Sequence, residues 1–157
     1  ILVGRCTAQL DNPSLTVRHW YGPNPLRLVI DRALQLPESL RLFDGSTPTV
    51  VFTALRRASR ENLEYVTLDF DRDILPQVMD ELCRRNVQSL LVEGGTQLLQ
   101  SFVDGEWWDE IYVEHASAVL GEGVKAPSVP AGYPVVYEQR DGVVVAHYLR
   151  ETGDSQV

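Results

Sequence analysis

The apolar run Leu90-Leu91-Val92 ends in one carboxylate, Glu93, followed by Gly94-Gly95, the hydroxyl residue Thr96 and the helix-like pattern Gln97-Leu98-Leu99. That order predicts a strand, a tight turn and a helix N-terminus. The first turn, Gln97 to Gln100, carries no Asp or Glu to sit against the positive end of the helix dipole. Backbone N–H groups at such an end form a ready anion site, and glycines let a ligand approach the backbone closely. The same residues also read as a plain strand-to-helix turn with Thr96 as an ordinary N-cap. The segment by itself leaves both readings open.

Strand-like runs recur at Ile1–Val3, Leu26–Ile30, Val50–Thr53, Tyr65–Leu68, Ser89–Val92 and Glu110–Glu114. A helix is predicted from Ile74 to Arg85, because Ile74, Leu75, Val78, Met79 and Leu82 share one face. Asp73 suits its N-cap, Pro76 falls in the first turn, and Asn86 suits a left-handed exit. A second helix follows Gly95 and ends at Asp104-Gly105. The runs Val135–Arg140 and Val143–Arg150 flank Asp141-Gly142, a strong hairpin signal. The expected fold is α/β: a mixed, mostly parallel sheet with helices on both faces and a C-terminal antiparallel hairpin. Residues 120–134 read as an extended surface loop, and residues 151–157 as a polar tail.

A chain of 157 residues is long enough for one domain with a core. No apolar run approaches the ~20 residues that span a membrane, and no signal peptide is visible. Cys6 and Cys83 form no CxxC, which predicts reduced, buried or inert thiols in a cytoplasmic setting. Two cysteines and three scattered histidines give no metal site. The net charge of −8 argues against a nucleic-acid partner. Residues 1–64 hold 8 Arg against 6 Asp and Glu, whereas residues 65–157 hold 5 Arg and 1 Lys against 16. That asymmetry suits a small polyanion, or is simply charge on solvated faces.

Other segments carry candidate chemistry. Asp11-Asn12-Pro13 is turn chemistry, followed by Ser14, Thr16 and Arg18, which are all able to bind phosphate oxygens. The plainer reading is a surface loop whose Arg18 pairs with a local acid. Thr53 with Arg56, Arg57 and Arg60 suits a 2′-phosphate, or forms a solvated helix face, the reading the pattern favours. Trp107 and Trp108 pack a core or an interface, with a base-stacking platform as the other reading. His19, His115 and His147 form no catalytic triad pattern.

In order along the chain, Gly4-Arg5-Cys6-Thr7, Asp11-Asn12-Pro13-Ser14-Leu15-Thr16-Val17-Arg18, Asn24-Pro25-Leu26-Arg27, Val92-Glu93-Gly94-Gly95 and Leu120-Gly121-Glu122-Gly123 resemble the reductase domain of the bacterial bifunctional riboflavin-biosynthesis deaminase/reductase. The resemblance spans about residues 1–127. It implies a dihydrofolate-reductase-like fold and an enzyme that uses NADPH to reduce the ribosyl group of 5-amino-6-(5-phosphoribosylamino)uracil to ribityl. It further implies that Thr7, Asp11 and the turn Gly95-Thr96-Gln97-Leu98 contact NADPH. Ser14, Leu15, Arg18 and Glu93 would contact the phosphorylated pyrimidine, with Arg18 near its phosphate. The family's domain begins with a strand and helix ahead of the residue matching Ile1, so residues 1–150 are expected to be a reductase domain without that piece. The zinc deaminase signature H-x-E…P-C-x-x-C has no counterpart here.

Glu93 is the only ionisable group inside the main motif. It is the candidate catalytic residue, orienting substrate or relaying a proton during sugar opening, or else a carboxylate merely satisfied by nearby helix amides. A dihydrofolate-type reductase, a non-catalytic nucleotide-binding domain and a structural interaction module are the competing functions. Exposed sheet edges and the tryptophan pair suggest a homodimer.

Overall fold

The computed structural model describes residues 1–118 and 121–150; Leu120 of the last motif and the tail 151–157 lie outside the described residues. The chain divides into two compact units, residues 1–99 and 100–157.

In the first unit, β1 (Leu2–Gly4), β2 (Arg27–Ile30), β3 (Thr49–Thr53) and β4 (Leu63–Thr67) form one sheet in that order, and every pairing is parallel. Parallel strands are covered on both faces, which is why they read as continuous apolar runs. Val3, Ala8, Val29, Leu36, Leu40, Leu42, Val51 and Leu63 build a core against this sheet. Each Val or Leu side chain among them contributes about 1.5–3 kcal/mol on burial. Because all four strands run the same way, their carboxyl ends line one edge, where ligands bind in open α/β sheets.

Two differences from the sequence expectation shape this edge. Arg5–Asp11 is a helix, α1, that starts directly at the end of β1. It buries only Ala8 and leaves Leu10 exposed, so two turns carry no apolar periodicity to read. Ser89–Val92, by contrast, is not a strand. It makes a single parallel bridge, Leu2 to Val92, with Leu2 N donating to Leu91 O at 2.8 Å and Glu93 N donating to Leu2 O at 2.9 Å. Those bonds fix the start of the Glu93-Gly94-Gly95 turn beside β1. Helix α2 (Ile74–Arg84) follows expectation: the Asp73 carboxylate accepts from Leu75 N at 3.0 Å, Leu75, Val78 and Leu82 are buried, and Asn86 has φ 57°.

Helix α3 (Thr96–Asp104) begins in the first unit and runs into the second. The second unit carries β5 (Glu110–His115), β6 (Val135–Arg140) and β7 (Val143–Leu149), an antiparallel sheet in the order β5-β7-β6. Asp141 (φ 48°) and Gly142 (φ 83°) turn the hairpin with both central residues left-handed, as an Asp-Gly link requires. Trp108 is buried edge-on against Tyr133 with ring centroids 4.7 Å apart, a core role, and Trp107 is partly exposed. Residues 121–134 hold no helix or strand.

Candidate functional site

The Gly94-Gly95 turn is built against α1. Gly94 has φ +76° and Gly95 φ +81°, a backbone conformation that side chains resist. A Cβ on Gly94 would stand 2.7 Å from Thr7 Cγ2 and 2.9 Å from Thr7 Oγ1; one on Gly95 would stand 3.4 Å from the same hydroxyl. On the other side, a Cβ on Gly4 at the end of β1 would stand 3.8 Å from Leu98 Cβ and Cδ2. Thr7, Gly95 and Leu98, expected at the cofactor, thus converge at the carboxyl end of β1. Asp11 lies one turn after Thr7 on the same face of α1 and is exposed.

Gly95, not Thr96, precedes the helix: its carbonyl accepts from Leu99 N at 3.0 Å, and Thr96 is the first helical residue. The ordinary-cap reading of Thr96 is therefore set aside. A glycine in the capping position brings no side-chain acceptor, and the first turn of α3 holds no acidic residue. Gln97, in that turn, is exposed. The missing Cβ atoms let the turn pack directly on the Thr7 side chain, and a helix N-terminus of this kind suits an anion such as a pyrophosphate. Glu93 is exposed, its own N–H donates to Leu2 O at 2.9 Å, and its charge acts on the Ile1 ammonium.

Beyond α1 the chain turns through Asn12 (φ 43°) and Leu15 (φ 48°). Leu15 packs on the core cluster, which leaves part of its side chain open. Arg18 is exposed and pairs with no carboxylate among the described residues, so the local ion pair does not form. Ser14 is held through its carbonyl, which accepts from Arg27 Nη1 at 3.4 Å.

Arg27 is the residue that sequence reasoning missed. It is 0% exposed, with Nε donating to Thr49 Oγ1 at 2.8 Å, Nη1 to Arg41 O at 3.0 Å, and Nη2 to Thr47 O at 2.7 Å and Asp44 Oδ1 at 3.1 Å. The signal was present: a charged residue inside an apolar strand of a two-sided sheet must be buried and fully bonded. Ser46 N–H, then its hydroxyl and then Arg27, hold the Asp44 carboxyl below its usual range.

Residues 54–60 are not a helix, which removes the solvated-helix reading of the arginine cluster. Thr53 is buried and donates to Arg32 O at 3.0 Å. Arg57 pairs with Glu38 and lies over the Tyr65 ring, whereas Arg56 and Arg60 are exposed. Cys6 and Cys83 are free thiols, as reduced cysteines are, but exposed rather than buried, because Cys6 lies on the outer face of α1 and Cys83 near the end of α2. His147 sits 2.9 Å from Glu110 Oε2 and stacks on Tyr112, an arrangement without a nucleophile. A concavity on the second unit, lined by Tyr112, Glu114, Arg140, Asp141, Val143 and Val145, contains none of the candidate residues.

Comparison with known proteins places these features in a family. The riboflavin biosynthesis protein RibD of Bacillus amyloliquefaciens is 37% identical over 141 residues, a match covering 84% of this chain and 38% of that protein. A 2,5-diamino-6-ribosylamino-4(3H)-pyrimidinone 5′-phosphate reductase of Aquifex aeolicus is 32% identical over 145 residues, covering 84% of this chain and 62% of that one. The chain thus spans less than two thirds of the length of either relative. The crystal structure of a diaminohydroxyphosphoribosylaminopyrimidine deaminase/5-amino-6-(5-phosphoribosylamino)uracil reductase from Thermotoga maritima superposes with a TM-score of 0.78 at 28% identity, over 94% of this chain and 44% of that chain. Residues 1–140 match the RibD C-terminal domain, and the chain belongs to that family.

Proposed function

We propose that this domain is an NADPH-dependent reductase that converts the ribosyl group of 5-amino-6-(5-phosphoribosylamino)uracil to ribityl in riboflavin biosynthesis. The observation that carries the reading is the Gly94-Gly95 turn packed on Thr7, which gathers a glycine backbone, a hydroxyl and Glu93 at the carboxyl end of β1. Family membership and the reductase name of the Aquifex relative support it.

Within this reading, bound NADPH supplies a hydride. The turn Gly95-Thr96-Gln97-Leu98 would hold the pyrophosphate, with Thr7 and Asp11 on the adjoining face of α1. Ser14, Leu15 and Arg18 lie past the other end of that helix, whose seven residues rise about 10 Å. That spacing suits a phosphorylated sugar lying along α1, its phosphate on the Arg18 guanidinium and its anomeric carbon toward the cofactor. Glu93 would then orient the sugar or move a proton as the ring opens.

Arg56 and Arg60, which leave the close Glu38 ion pair to Arg57, follow the carboxyl end of β3 and suit the extra phosphate of NADPH over NADH. A homodimer and a cytoplasmic location belong to the same proposal. No helix among the described residues is long and apolar enough to cross a membrane.

The test is loss of NADPH absorbance with the deaminated phosphoribosylaminouracil, beside dihydrofolate. Turnover of the pyrimidine alone is expected. Turnover of dihydrofolate instead, or saturable NADPH binding with no turnover, would overturn the proposal.

A further inference from the structure

The loop between Asn12 and Arg18 has no regular secondary structure, yet it is tied down at three points. Asn12 Oδ1 accepts from Arg41 N at 2.8 Å, the Ser14 carbonyl accepts from Arg27 at 3.4 Å, and Val17 N donates to Asn24 Oδ1 at 3.0 Å. The last two ties meet. Asn24 Nδ2 donates to Thr47 Oγ1 at 3.2 Å, and Arg27 Nη2 donates to Thr47 O at 2.7 Å. Thr47 is 2% exposed and Arg27 is wholly buried, so the point of convergence is rigid. Asn24 itself is exposed, and these two hydrogen bonds are those recorded for its side chain.

We propose that Asn24 is a positioning residue for the phosphate end of the substrate: by holding Val17 N–H against the buried Arg27–Thr47 pair, it sets the place of the Arg18 guanidinium. The inference rests on the reading of Arg18 as the phosphate contact. An arginine on a free loop must be ordered when the ligand arrives, and that cost comes out of affinity. A loop clasped beforehand has already met it. Nothing about the clasp touches the Gly94–Thr7 cradle, so its effect is confined to one of the two ligands. Asn24 is exposed, which separates its role from that of the wholly buried Arg27, whose loss would disturb the fold.

The experiment uses the full chain with Asn24→Ala, Asn24→Asp, Arg18→Ala and the Asn24→Ala/Arg18→Ala pair. Asn24→Ala removes one neutral hydrogen bond to the loop and is expected to raise the pyrimidine KM about fivefold, with kcat, NADPH Kd and Tm unchanged. Asn24→Asp keeps an acceptor for Val17 N–H but gives up the amide that donates to Thr47 Oγ1, so its KM is expected between those of Asn24→Ala and the unmodified chain. In the pair, the Asn24 change adds less than about twofold to the effect of Arg18→Ala, because both act through one guanidinium. Trypsin gives a reading independent of turnover: cleavage after Arg18 speeds up in Asn24→Ala and less in Asn24→Asp, while cleavage after Arg56 and Arg60 keeps its rate.

An unchanged KM, a parallel rise in NADPH Kd, an Asn24→Asp KM no lower than that of Asn24→Ala, or effects that multiply in the pair would each overturn the clasp. If the unmodified chain fails to reduce the pyrimidine, the reductase reading falls. Faster cleavage at Arg18 in Asn24→Ala than in Asn24→Asp would still uphold the clasp, and equal cleavage would sink it.

Discussion

Gly94 lies so close to Thr7 that a β-carbon on it would stand 2.7 Å from Cγ2. Gly94→Ala therefore meets two costs at once: a left-handed φ of +76° and an overlap with a partly buried side chain. The expected loss of stability is roughly 2–4 kcal/mol, with NADPH binding weakened because the turn must shift. Gly95→Ala meets the backbone cost alone, since its nearest atom is 3.4 Å away, and should lose about 1 kcal/mol. Thr7→Ala added to Gly94→Ala removes the overlap and should recover part of the stability without restoring cofactor affinity. Urea unfolding and NADPH fluorescence titration on the three variants check this order.

Arg18→Ala separates the two ligands. A guanidinium bonded to a phosphate contributes about 1.5–3 kcal/mol, so the pyrimidine KM should rise at least about tenfold. Tm should not move, because Arg18 is exposed and makes no ion pair with the described residues. NADPH Kd should not move either. A change in NADPH affinity alone would put the phosphate contact elsewhere.

What the sequence made legible was whatever carried a period or an obligatory backbone conformation. Helix α2 showed its apolar face and cap, the hairpin its Asp141-Gly142 link, and the turn at Gly94-Gly95 its glycines. Helix α1 was illegible because seven residues with only Ala8 buried show no pattern. Ser89–Val92 looked like a strand because its composition is apolar, but Leu2 offers it a partner at one residue only. The role of Arg27 depends on Thr47, Thr49, Asp44 and Arg41, which are brought to it by tertiary folding. Spacing along the chain does not encode such a meeting, so the burial of Arg27 was legible in its strand but its partners beneath the loop before Arg18 were not.

Asp44 gives that support a pH dependence. Its carboxyl is held below its ordinary value by Ser46 and then by Arg27, whose buried charge it pairs at 3.1 Å. A carboxyl with a depressed folded pKa contributes stability above the unfolded pKa, and the contribution is lost as pH falls through the folded one. Asp44→Asn should thus cost stability at pH 7, and the gap to the unmodified chain should close below about pH 4. Asp44 is 44% exposed, so solvent screening limits the expected difference to about 1 kcal/mol. Urea midpoints at pH 7 and pH 3 measure it; a gap that is equal at both would remove the ionic part of the argument.

Glu93 carries the chemical prediction. Its backbone is fixed by the bond from its own N–H to Leu2 O, and two glycines follow it, so Glu93→Gln alters charge without moving the turn. A carboxylate that merely accepts from helix amides would tolerate that change, so the substitution separates the two readings. If it moves a proton as the sugar opens, kcat should fall about 100-fold, with NADPH Kd and Tm unchanged. A fall in affinity with kcat retained would make Glu93 a binding group only. Unchanged kcat and KM would leave it no part in the reaction, and the proton would have to come from another group in the turn's surroundings or from water.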